Sequence, residues 1–139
     1  MATPLRVIGR QLPNWSPRQR PSLEPMIGRL CRVEPLDPVR HAAQLFSANA
    51  LDTAGANWTY LSYGPFERFD AYLDWMTRAC AVDDPFFHAI VDLRSGGAVG
   101  VASYLRLDQT NGVIEVGGIN FSPLLQRTPR IRGCRGVPV

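Results

Sequence analysis

Residues 112–128 read GVIEVGGINFSPLLQRT, and how this stretch is taken decides the fold. VIEVGGINF (113–121) has the β-branched, alternating look of a strand, and SPLLQRT reads as a structured turn behind it. Gly117-Gly118 falls inside the strand, where paired glycines weaken the pairing and permit a bulge or a close backbone approach. Working back, FFHAIVDL (86–93) and AVGVASYLRL (98–107) are two more strands. Ser95-Gly96-Gly97 and Asn111-Gly112 separate the three with residues that tolerate positive φ, so two hairpins are expected.

Upstream, GRLCRVEP alternates apolar and charged residues and reads as a first strand. Asp37-Pro38 is a helix start, an N-cap acceptor followed by proline at the first helical position. Val39, Ala42, Ala43, Phe46 and Ala50 recur at helical spacing, with His41 off that stripe and in solvent. TAGANWTYLSYGP connects to a second helix starting near Phe66, with Phe69, Tyr72, Leu73, Met76 and Cys80 on one face. Residues 1–25 carry five prolines and little periodicity, which predicts an extended arm anchored by Trp15. Residues 26–129 form the domain, and 130–139 an irregular basic tail.

At 139 residues the chain is long enough for one domain with its own core. No apolar run approaches the ~18 residues of a membrane span, and the first residues lack a signal-peptide core, so a cytoplasmic protein is expected. Three widely spaced cysteines without metal-ligand grouping predict thiols rather than a disulfide or a zinc site. All twelve acidic residues precede position 116, whereas Arg127, Arg130, Arg132 and Arg135 crowd the end, so the net charge of +3 belongs to the tail. Fifteen arginines and no lysine suggest a GC-rich coding sequence, in which a shifted frame yields Arg, Gly and Pro. The tail would add only weak, salt-sensitive affinity for nucleic acid, and neither nucleic acid nor a membrane is expected as a partner.

The order strand, helix, helix, three antiparallel strands resembles the first part of the GNAT superfamily of acyl-CoA-dependent N-acetyltransferases. The resemblance rests on GRLCRVEPLDPVRHAAQLF, WTYLSYGPF, FHAIVDLRSGGAVGVASYLRLD and GVIEVGGINFSPLLQRT, and is strongest to the branch of the ribosomal-protein alanine acetyltransferases. It implies an α+β fold: the N-terminal part of an acyl-CoA N-acyltransferase (GNAT) fold, with one strand, two helices, then a three-stranded antiparallel meander. The cofactor-binding helix would be missing, because RIRGCRGVPV after Pro129 cannot nucleate one. On that reading the chain is C-terminally truncated, and its activity is weak or absent.

The resemblance also implies acetyl-CoA as co-substrate, no metal, and an amine acceptor on a small molecule or a protein N-terminus. It places the backbone of Ile119, Asn120 and Phe121 against the pantetheine arm. Gln126, Arg127 and Thr128 begin the loop whose amides hold the diphosphate, with Pro129 where a glycine is usual. Amine acetylation needs a base, an oxyanion donor and a proton for the leaving thiolate. Glu115 is the one ionisable residue between Gly112 and Gln126 and is the candidate base; a surface ion pair is its alternative. Trp58, Tyr60 and Tyr63 occupy the segment that walls the acceptor pocket in related enzymes, with packing of that loop onto the sheet as the alternative; of the adjacent Ser103 and Tyr104 on the third strand, parity leaves open which one points toward the cleft. The competing reading is a non-catalytic binding module that retains half of the fold.

Overall fold

The Asp37 carboxylate accepts the Val39 N–H at 3.0 Å, and Pro38 occupies the first helical turn, where no amide partner is required. From this cap α1 runs Pro38–Asn49. The computed structural model describes residues 3–128. The expectations for Pro129 and for the tail 130–139 lie outside the described residues. Ahead of α1 lie β1 (Met26–Ile27) and β2 (Cys31–Pro35); after it come a 3₁₀ turn (Ala56–Trp58) and α2 (Phe69–Cys80). β3 (Phe86–Asp92), β4 (Ala98–Asp108) and β5 (Val113–Phe121) complete the elements among the described residues. All neighbouring pairs are antiparallel, and the five strands lie in chain order β1-β2-β3-β4-β5.

The expected three-stranded meander is therefore the larger part of a five-stranded sheet. The first strand expected over GRLCRVEP is shortened to CRVEP (β2): the Gly28 N–H bonds the Cys31 carbonyl at 2.9 Å, and this turn separates it from β1 just before. The second helix begins at Phe69 rather than near Phe66, because Arg68 still has extended backbone (φ −120°, ψ 140°).

The buried stripe of α1 is also displaced from the expected one. His41, Ala42, Leu45, Ala48 and Asn49 are buried, while Val39 is 93% exposed. The cause is polar. His41 Nδ1 accepts the Asp37 N–H at 2.9 Å, which leaves Nε2 to carry the proton and donate to Glu34 Oε1 at 2.8 Å. Arg32 holds the other Glu34 oxygen at 2.8 Å, so a buried carboxylate clamps β2 to α1. Burial alone would raise the Glu34 pKa, but the hydrogen bonds from His41 and Arg32 and the charges of Arg32 and Arg40 outweigh it and hold it below the ordinary value.

Each face of the sheet has its own core. α1, the 3₁₀ turn and α2 cover one with Leu45, Trp58, Tyr72 and Met76 packed on Phe87 and Val101. On the other, Cys31, Ile90, Val99 and Leu125 cluster with Val33 and Phe121. Cys31 is fully buried in this second cluster, Cys80 is a free thiol, and Cys134 lies outside the described residues.

The arm before β1 has no regular secondary structure between residues 3 and 25, and it is tied to the β4–β5 hairpin. Trp15 Nε1 donates to the Thr110 carbonyl at 2.8 Å, and the Arg18 N–H donates to the Gln109 carbonyl at 2.8 Å. The indole lies so close over Gly112 that a Cβ there would sit 2.5 Å from it. Among the described residues no helix is long and apolar enough to cross a membrane.

Candidate functional site

Pairing between β4 and β5 shifts register between Val101↔Asn120 and Ser103↔Gly117. This is the bulge expected at Gly117-Gly118, and Gly118 takes the left-handed conformation, φ +58°. A Cβ on Gly118 would also lie 3.0 Å from Ser103 Oγ and 3.3 Å from the Phe87 ring, so the position excludes a side chain on two grounds.

Two successive carbonyls of the bulge are held by side chains. Ser103 Oγ donates to Gly117 O at 2.8 Å, and the Tyr63 hydroxyl donates to Gly118 O at 2.9 Å. Tyr63 is aimed by its neighbours: its ring stacks on Trp75 at 4.2 Å and meets Trp58 and Phe87 edge-on. Burial, with a smaller contribution from Tyr72, raises the Tyr63 pKa above its ordinary value, so the hydroxyl keeps its proton and serves as a donor. At the strand end, Phe121 O accepts from Asn57 Nδ2 at 3.2 Å and Gln126 Nε2 at 2.8 Å. Gln126 also reaches Asn57 Oδ1 at 2.8 Å, and Asp52 caps the Asn57 N–H at 2.9 Å.

Past β5 the chain turns tightly. Ser122 O accepts the N–H groups of Leu125 and Gln126, Thr128 Oγ1 donates to Leu125 O, and Arg127 has φ +57°. Leu125 is fully buried and lies against Gly100, where a Cβ would meet it at 2.8 Å. Two polar side chains in this segment are buried without a hydrogen bond: both amide atoms of Asn120 and the Ser122 hydroxyl. Such groups cost stability and point to a use beyond packing.

The expected site residues divide sharply. Ile119, Asn120 and Phe121 follow the bulge directly, with Gln126, Arg127 and Thr128 in the turn behind. Tyr63 reaches the bulge from the helix-covered side, next to an open cavity of about 380 Å³ walled by Phe66, Trp75 and Phe87. Trp58 is a core residue, and Tyr60 is 98% exposed. Tyr104 lies on the opposite face, 5.2 Å from the His88 ring, lining a cavity of about 440 Å³ between the arm and the hairpin. Glu115 pairs with Arg106 at 3.1 Å at a half-exposed position. By register it shares the helix-covered face with Ser103 and Gly117.

Asn57, Trp75 and Phe87 were not singled out from the sequence. Their contribution is to bring a loop, a helix and a strand to the bulged end of β5, Asn57 at the Phe121 carbonyl and Trp75 and Phe87 around Tyr63, and periodicity within any single element does not carry that.

No family model matches the chain, and no curated protein does. Solved structures do. A GCN5-related N-acetyltransferase from Brucella melitensis superposes with a TM-score of 0.86 at 35% identity, over 91% of this chain and 57% of that one. A probable acetyltransferase of the GNAT family from Chromobacterium violaceum matches with a TM-score of 0.82 at 31% identity, over 96% of this chain and 67% of that one. The chain thus spans a little over half of the Brucella protein. Superposition and sequence identity agree: this chain belongs to the GNAT family of N-acetyltransferases.

Proposed function

We propose that the chain takes part in acetyl transfer from acetyl-CoA to an amine, with the bulged end of β5 as the cofactor edge. The observation that carries this reading is the pinned bulge: Gly117 and Gly118 carbonyls fixed by Ser103 and Tyr63, on the last strand of the sheet order. Backbone held in place before a ligand arrives binds without an ordering cost.

Bound acetyl-CoA would supply the thioester, the acetyl donor. Ile119 and Asn120 offer main-chain groups to the pantetheine arm. Phe121 contributes less as an acceptor, because its carbonyl already receives two donors. The turn Gln126–Thr128 leads toward the diphosphate. Asn120, buried and unpartnered, is the side chain with hydrogen-bonding capacity to spare beside that edge.

Glu115 is the proposed base. It lies two residues from Gly117 on the same face, about 7 Å along the strand, and would take the proton from the acceptor amine as nitrogen attacks the thioester carbon. The carbon–sulfur bond then breaks and the thiolate takes up a proton. Tyr63 and the cavity beside it form the acceptor wall; Trp58 supports that wall from the core. Tyr60 and Tyr104 stand apart from it. The acceptor, by resemblance to the ribosomal-protein alanine acetyltransferases, is a protein N-terminal amine or a small amine.

Thermal denaturation of the 139-residue chain over an acetyl-CoA titration tests this. Saturable stabilisation at micromolar ligand is expected; an unchanged melting temperature across the titration contradicts it.

A further inference from the structure

We infer that Tyr63 is a positioning residue for the acyl group: its hydroxyl, with that of Ser103, turns the bulge peptides so that consecutive N–H groups face the thioester. The inference rests on the acetyl-transfer reading and gives Tyr63, besides its place in the acceptor wall, a second role exerted through the bulge backbone.

In a regular strand, successive carbonyls point to alternate sides. At this bulge two successive carbonyls, Gly117 and Gly118, are both taken by hydroxyls, at 2.8 and 2.9 Å. A trans peptide is planar, so each N–H points opposite to the carbonyl of its own peptide unit. The Gly118 and Ile119 N–H groups are therefore both turned away from those hydroxyls. Consecutive amides displayed around a left-handed residue form a concave donor pair suited to a partly negative oxygen, and Gly118, at φ +58°, supplies that residue.

Tyr63 can do this reliably because it has little freedom. Trp75 lies parallel to its ring at 14°, and Phe87, which also closes on Gly118, meets it edge-on. The hydroxyl is thus delivered from a different segment, one whose ring also borders the 380 Å³ cavity. An acceptor seated there would press on the residue that sets the donor pair.

The test compares acetyl-CoA with CoA, which differ by the acetyl group that carries the carbonyl in question. Calorimetric titration of the full chain and of Tyr63→Phe, which keeps the ring and removes one donor, gives the ratio of the two affinities. The variant is expected to lose ~fivefold of the wild-type preference for acetyl-CoA, about one hydrogen bond. CoA affinity should stay within about twofold, and the melting temperature should be retained. A preference unchanged in Tyr63→Phe overturns the positioning role and leaves the acetyl-CoA reading intact. Wild type that binds neither ligand overturns both. Should Tyr63→Phe fail to fold, Ser103→Ala frees the neighbouring carbonyl and is judged by the same ratio.

Discussion

The two ends of β5 are built on opposite principles. Val113 to Val116 lie in solvent, and the one charged residue there, Glu115, pairs across the strands with an exposed Arg106. Four residues on, Asn120 is 2% exposed and the carbonyls of Gly117, Gly118 and Phe121 are all held by side chains from other segments. Charge marks the end that water already stabilises. Uncharged polar groups mark the end where the backbone itself has been shaped, and backbone chemistry is what the proposed cofactor edge requires.

That contrast can be broken by mutation. Gly118→Val should cost the most, about 2–3 kcal/mol in urea denaturation, because it meets a positive φ together with Ser103 Oγ and Phe87. Val116→Ala at the open end should stay within about 0.5 kcal/mol. Equal losses at the two positions would erase the distinction.

Ser103→Ala should destabilise by about 1–3 kcal/mol, since a buried carbonyl loses its donor. Asn120→Val should do the reverse. Removing a buried amide that bonds nothing is expected to raise stability by about 1 kcal/mol, while acetyl-CoA binding weakens. A destabilised Asn120→Val would mean that the amide contributes to the fold.

Glu115→Gln should have the smallest effect on stability, within about 0.5 kcal/mol for an exposed pair, yet lower kcat by ~100-fold or more if Glu115 is the base. Turnover that survives the substitution removes it from the mechanism.

Stability against pH offers a control away from β5. Glu34 is held below its ordinary 4.5, so its contribution is present above that pH and is lost as acidification approaches the folded value. His88, depressed by burial despite the Phe86 carbonyl, also favours the unfolded chain as pH falls below 6.5, where the unfolded form takes up the proton more readily than the folded one. Both act in one direction. Glu34→Gln should flatten the loss of stability below pH 4.5 and leave the region near pH 6 as in wild type.

Much of this fold was readable in the chain. The turn glycines set both hairpins, Asp37-Pro38 set the start of α1, and Gly117-Gly118 marked the bulge, because each carries its conformational reason locally. The face of α1 was not readable, because His41 faces inward to reach Glu34, a partner on another element. At the site, Tyr63 was legible as one aromatic residue in a turn-rich stretch. Its hydrogen bond to a carbonyl 55 residues away was not, nor was the alignment supplied by Trp75. Local chemistry identifies the special peptide; only the packed structure identifies what holds it.

The most direct test is an amide ¹H–¹⁵N titration of the 139-residue chain with acetyl-CoA. The largest shifts are predicted at Gly118, Ile119 and Asn120 and in the turn at Gln126–Thr128, with little change at Trp15 or Gln109 on the arm side. Shifts gathered around the arm cavity, or none at the bulge at saturating ligand, would contradict the cofactor edge.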